Sequence, residues 1–224
     1  MIIAGLDLSL TSSGLVKFYL DKNLDVSKVI YNGFTSTKSN QSDLVHYYSK
    51  KQFKNNTEKA SWMIPIVESF IADVDYIALE GYAYGASGYV FDLAEFAGVI
   101  KYNAFNANKA IRIYPPTSVK KYFAKNGNAD KISMYRAFQD YICLYKPSIK
   151  DLPEVTDGKK GASPTSDIVD AFGICDLLYT ELLLRHGKIL LSNLDTKTIE
   201  VFNSVDKKND NNLLVREFIA KKEP

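Results

Sequence analysis

The chain has 224 residues, 46% of them hydrophobic and 24% charged, with 28 Lys+Arg against 26 Asp+Glu for a formal net charge of +2. That balance fits one globular domain with a sizeable core and excludes a disordered tail protein, a collagen-like fibre and a disulfide-stapled mini-domain, each of which skews charge, glycine or cysteine content. The opening MIIAGLDLSL has no basic residue ahead of its apolar stretch, and no apolar run reaches the roughly 18 residues of a membrane span, so a soluble cytoplasmic protein with no membrane association is expected.

Residues 2–8 (IIAGLDL) and 15–20 read as two strands joined by the turn SLTSSG, and residues 28–34 as a third. Residues 35–59 are polar, lysine-rich and aromatic, which predicts a long exposed connection with one or two helical turns. Ala60, Met63, Ile64, Val67, Phe70 and Ile71 recur at three and four, the period of an amphipathic helix over 58–72. A strand over 74–80 ends on Glu80. The loop 81–88, with three glycines and the tyrosines Tyr82 and Tyr84, leads into a helix over 89–108. A short strand follows at 110–114, and Pro115-Pro116-Thr117-Ser118 opens the next helix, with proline or hydroxyls suited to its first turn. Further helices are expected over 130–144 and 165–186, separated by a lysine-, proline- and glycine-bearing loop. From Gly187 the pattern is a strand-like KILLSNL, a helical stretch, a polar DKKNDNN break and a final helix LLVREFIAKK, read as an appended element of the same domain. Alternating strands and helices imply a mixed α/β sheet with helices packed on it.

Cys143 and Cys175 have no second Cys or His at zinc-like spacing, and His46 and His186 are far apart, so a zinc site is not expected and both thiols read as small buried hydrophobes. The charge is unevenly spread. Residues 101–150 hold ten bases and two acids, a local +8 that leaves −6 for the rest of the chain. Interleaved tyrosines and phenylalanines make this segment compatible with a polyanionic partner, although a solvated face has the same composition.

Four acids stand in apolar surroundings. Asp7 closes the first strand, Glu80 closes another, and Asp167 and Asp170 lie on a helix that is otherwise nearly all Ile, Val, Ala, Phe, Leu and Tyr. Isolated carboxylates there need a cation, a hydrogen-bond donor or solvent. The i, i+3 spacing turns Asp167 and Asp170 to one side of their helix. Converging carboxylates with no Cys or His favour magnesium or manganese, and two such ions suit in-line displacement at phosphorus. Plainer roles fit each acid as well. Asp7 can bond turn amides, Glu80 can face solvent, and Asp167 can meet the helix dipole behind a Thr165 cap; Asp170, a turn further in, is harder to account for that way.

In order, GLDLSLTSSGLV (5–16), YIALEGYAYG (76–85), LAEFAGVIKYNAF (93–105), YPPTSVKKYFAKNGNADK (114–131) and SDIVDAFGICDLL (166–178) resemble the RuvC family of Holliday-junction resolvases, within the RNase H-like (retroviral-integrase-like) superfamily. The resemblance covers most of residues 1–186. It implies a five-stranded mixed sheet flanked by helices as the nuclease domain, with 187–224 as a C-terminal extension packed on it. It further implies that Asp7, Glu80, Asp167 and Asp170 hold two Mg2+ ions, with Mn2+ able to substitute, and that no small-molecule cofactor is used. Lys120 and Lys131 match lysines that approach the scissile phosphate or the junction backbone, Lys131 being counted with the catalytic set. Lys121 and Lys125 are candidate DNA contacts beside them. An aromatic that stacks on a base follows the glutamate in the family, a place that Tyr82 and Tyr84 fit equally, as they do plain loop packing.

The implied activity is structure-selective cutting of branched DNA, four-way junctions above all, in recombination and repair, by a homodimer whose face is the helix over 89–108. Divergent resolvases of this type occur in bacteriophages, which suits the lysine, asparagine and tyrosine bias. The connection 35–59 is longer than in typical bacterial members. Residues 7–14 also resemble the first phosphate loop of actin-like and sugar-kinase ATPases, but those need two such domains, and 224 residues are too few. The remaining alternatives are an RNase H-like enzyme acting on RNA–DNA hybrids or flaps, and a non-catalytic branched-DNA binder, from which at least one acid would be missing.

Overall fold

The computed structural model describes residues 1–36, 38, 43–81, 90–142, 163–205 and 211–221. Strands β1 (Ile2–Asp7), β2 (Gly14–Leu20) and β3 (Val26–Thr35) form an antiparallel meander, and β4 (Val45–Tyr47) adds in parallel to the end of β3. Helix α1 (Asn56–Ile71) crosses to β5 (Tyr76–Glu80), parallel to β1, and α2 (Val90–Asn106) crosses to β6 (Ala110–Tyr114), parallel to β5. Then come α3 (Pro116–Phe123), α4 (Lys131–Ile142), α5 (Thr165–Arg185) and α6 (Thr196–Asn203). The sheet order is β4-β3-β2-β1-β5-β6.

Among the described residues the sheet therefore has six strands where five were expected. The extra one, β4, lies inside the predicted connection; three residues are too few to show a period of two, and the strand exists through its pairing with β3. Two expectations for the C-terminal segment also change. KILLSNL is not a strand but contains a single 3-10 turn at Leu191–Asn193. Its Leu191 and Leu194 pack on the core without a neighbouring strand to pair with. The stretch LLVREFIAKK is not a helix: Ile219 exchanges backbone hydrogen bonds of 2.8 and 2.9 Å with Ile111, and this covers the outer edge of β6.

Strand alternation sorts the core into two layers. Ile3, Val16, Phe18, Ala78 and Tyr114 face α5, while Ala4, Leu6, Leu15, Ile77 and Leu79 face α1 and α2. Helix α5 is buried over most of its length, Cys175 included; Cys143 lies outside the described residues. It sits against bare backbone. A Cβ on Gly5 would stand 2.3 Å from the Ala171 carbonyl oxygen, and one on Gly14 would stand 2.0 Å from that of Asp167. Only glycine allows so close an approach at these two points.

Deeper along α5, Glu181 accepts from Arg112 Nε (3.1 Å) and Nη2 (2.5 Å), from the Tyr114 hydroxyl (2.7 Å) and from Arg185 Nε (2.8 Å). The same two guanidinium groups donate to the carbonyls of Leu213, Arg216 and Glu217 and lie over the Phe218 ring. The network ties the C-terminal segment to α5 and β6. No helix among the described residues is long and apolar enough to cross a membrane.

Candidate active site

The alternation that points Ile3 and Gly5 toward α5 points Asp7 the same way, and in β5 Ala78 and Glu80 do likewise. The parallel register pairs Leu6 with Leu79, which brings Asp7 and Glu80 side by side at the carboxyl ends of adjacent strands. Opposite them, α5 starts beside Gly14, the residue that pairs with Asp7 across β1 and β2. Its first turns carry Asp167 and Asp170. Four acids from three separate parts of the chain thus meet at one end of the sheet.

They act on one another. Burial pushes the Asp7 carboxyl well above its ordinary range, and the charges of Asp170, Glu80 and Asp167 add to the push. Asp170 is driven up to about 7, first by burial and then by Glu80 and Asp167. Burial raises Glu80 as well. Lys131 opposes the shift at Asp7, Lys120 opposes it at Glu80, and both oppose it at Asp170. Lys120 and Lys131 are therefore within electrostatic reach of the carboxylates, yet they do not neutralise them.

Asp167 is held separately. Its Oδ2 accepts from the Ser12 hydroxyl at 2.7 Å and from the Ser163 hydroxyl at 2.8 Å, and Lys131 Nζ stands 3.9 Å from Oδ1. Lys131 also donates to Ser166 Oγ at 3.0 Å. Asp167 is buried and lies in the first turn of α5, where the helix dipole acts on it, but the expected Thr165 cap is absent: Pro164 occupies the cap position, no side chain caps the helix, and Thr165 is its first residue. The serines were not singled out from sequence. Their signal lay in the hydroxyl-rich SLTSSG and SPTS, which flank two of the acids.

The other predicted contacts divide. Lys121 pairs with Glu200, and Lys125 donates to Asp195 Oδ2 (2.8 Å) and Thr198 Oγ1 (3.0 Å), so both are engaged by α6. Tyr82 and Tyr84 lie outside the described residues.

The donor set fits hard divalent cations: four carboxylates, no Cys or His, and a mutual repulsion that a cation relieves. Among the described residues no three acids, histidines or cysteines stand close enough to hold an ion jointly, so the carboxylates share a field without closing into a cage.

The overall arrangement has counterparts among solved structures. The Thermus thermophilus RuvC structure matches with a TM-score of 0.54 at 18% identity, covering 84% of this chain and 97% of that one. The same protein in complex with a Holliday junction substrate matches with 0.53 at 15% identity over the same shares. The chain has the RuvC fold. The yeast mitochondrial Holliday junction resolvase shares it more distantly, with a TM-score of 0.50 at 14% identity over 77% of this chain and 75% of that one. No family model and no curated protein sequence matches the chain. At these identities the likeness speaks for the RuvC fold, and the chemistry rests on the residues above.

Proposed function

We propose that the chain is a divalent-metal-dependent DNA endonuclease that resolves four-way junctions by paired symmetric nicks. The observation that carries this reading is the meeting of Asp7, Glu80, Asp167 and Asp170 at the carboxyl ends of β1 and β5, under-neutralised and flanked by Lys120 and Lys131. The likeness to RuvC, which has been solved with a Holliday junction, supports the choice of substrate.

In this reading the four carboxylates hold two Mg2+ ions, with Mn2+ able to replace them. Bound ions supply Lewis acidity toward the attacking water and the phosphate. The chain's own groups do the rest. Ser12 and Ser163 fix the orientation of Asp167, so that one carboxylate is already aimed before DNA arrives. Lys131, anchored on Ser166, and Lys120 place positive charge beside the carboxylates, where a phosphodiester dianion-like transition state is favoured. In-line attack at phosphorus then leaves 5′-phosphate and 3′-hydroxyl ends.

Two nicks related by symmetry need two sites, and hence a homodimer. Helix α2 offers a face for it: Phe91, Val99 and Tyr102 are exposed along one side. Residues 1–186 form the nuclease unit and 187–224 an extension fastened to it, and the protein acts in the cytoplasm of a bacterial or phage-infected cell. The test is cleavage of end-labelled four-way junction, flap, RNA–DNA hybrid and plain duplex with magnesium, manganese or chelator. Paired nicks on the junction that vanish in chelator are expected. Preferential cutting of hybrid or flap would move the substrate assignment, and tight junction binding without cutting in either metal would overturn the enzyme.

A further inference from the structure

Of the lysines considered so far, Lys120 and Lys121 lie on α3, which follows β6, Lys125 lies between α3 and α4, and Lys131 opens α4. The chain between β4 and α1 leaves the sheet at the edge opposite β6. Strand β4 runs parallel to β3, whose Gly33 pairs with Gly14, so the end of β4 emerges at the same end of the sheet as Asp7. There the Tyr48 hydroxyl donates to the Thr11 carbonyl at 2.5 Å, in the loop that leaves Asp7. Tyr48 is close enough to Asp167 to feel its charge. The segment is fixed rather than loosely attached: the Phe34, Tyr48 and Phe53 rings each pack against Trp62, with centroids 5.6 to 6.1 Å apart.

On this aromatic base residues 48–59 carry four lysines and one acid. The acid, Glu58, is spent on the start of α1: its Oε2 accepts from the Lys54 backbone N–H at 2.8 Å while Asn55 caps the Glu58 N–H. Among the described residues no ion pair forms at Lys50, Lys51 or Lys54, all exposed. Lys59 lies 3.8 Å from the Tyr48 ring centroid. Burial, and then the like charge of Lys50, hold it down to about 8. A folded chain that crowds cations together without counter-charges beside its carboxylates presents a surface complementary to a polyanion.

We infer that Lys50, Lys51 and Lys54 form a second bank of the DNA groove, binding backbone phosphates on the β4 side of the carboxylates, across the sheet from Lys120. The inference rests on the nuclease reading and extends it to a surface that reading does not use. A strand crossing the site would be gripped on both sides of the scissile phosphate, with no base read by this bank.

The test is junction binding across a salt series in chelator, for the intact chain and three variants. One combines Lys50→Ala, Lys51→Ala and Lys54→Ala, one has all three lysines changed to Arg, and one combines Lys22→Ala with Lys188→Ala as a control of exposed lysines elsewhere. Each lost phosphate contact removes roughly 0.9 from the slope of log K against log salt. The triple alanine variant is expected to flatten the slope by about 2 to 3 and to bind about 10-fold more weakly or worse at moderate salt. The arginine variant keeps slope and affinity, and so does the control. If the native chain binds with a steep slope and the triple alanine variant binds identically, the second bank is wrong while the nuclease reading stands. If the native chain does not bind the junction at all, both fall.

Discussion

Helix α5 carries buried acids at both ends, and the two ends are built to opposite rules. Glu181, fully buried, is surrounded by Arg112, Arg185 and the Tyr114 hydroxyl, every donor aimed and every guanidinium shared with backbone carbonyls of the C-terminal segment. Asp7 and Asp170 meet other carboxylates instead, and the opposing charges of the nearby lysines do not offset the burial and repulsion that push them up. A satisfied buried charge holds two parts of a fold together; an unsatisfied cluster costs stability and is retained where chemistry needs it. The difference separates structural from functional acids on one helix, and it can be tested at each end.

The largest effect is expected at the open end. Asp7→Asn should reduce junction cleavage to background in magnesium or manganese while junction binding in a gel-shift assay persists. Second in size is the closed end. Arg112→Leu leaves Glu181 short of a partner and detaches Phe218, and a loss of about 3–5 kcal/mol is expected by urea unfolding. A little below it stands Gly14→Ala, whose methyl group meets the Asp167 backbone. It should cost about 1–3 kcal/mol and suppress cleavage out of proportion, because the first turn of α5 must shift away from Asp7.

The ends should also differ in pH dependence. In the folded chain burial and the charges of Glu80 and Asp167 push Asp170 up to about 7, against about 3.9 for an ordinary aspartate. Between those values the folded state holds the proton and the unfolded state does not, so metal-free stability is greatest at the acidic side and falls as pH rises toward 7. Asp170→Asn should flatten that part of the profile, measured by thermal melting in chelator; an unchanged slope would contradict the crowding of charge at the open end. The smallest effect is expected at Lys125→Ala, which removes an exposed pair with Asp195 and should cost no more than about 1 kcal/mol. Because α6 already engages Lys125, cleavage should change far less than in Lys120→Ala or Lys131→Ala.

Much of this was legible in the sequence, for identifiable reasons. Strand alternation and the i, i+3 spacing on α5 are local properties, so Asp7, Glu80, Asp167 and Asp170 stand out as acids in apolar surroundings before any tertiary structure is known. The Arg112–Glu181 pair was not legible, since its partners are 69 residues apart and each reads alone as an ordinary surface charge. The same holds for Ser12 and Asp167, 155 residues apart. Strand β4 was hidden because pairing rather than composition creates it, and LLVREFIAKK has helical spacing but is drawn out by Arg112, Arg185 and the edge of β6. The division among the lysines was equally invisible: Lys120 and Lys121 are neighbours in sequence, yet one acts on Glu80 and the other pairs with Glu200.

The most direct test of the comparison measures junction cleavage and thermal melting on two matched variants, Asp170→Asn and Glu181→Gln. Asp170→Asn is expected to fold at least as firmly as the native chain and not to cut. Glu181→Gln is expected to melt at a lower temperature while its folded fraction still cuts. Native cutting by Asp170→Asn, or a folded Glu181→Gln that no longer cuts, would contradict the assignment of chemistry to one end of α5 and architecture to the other.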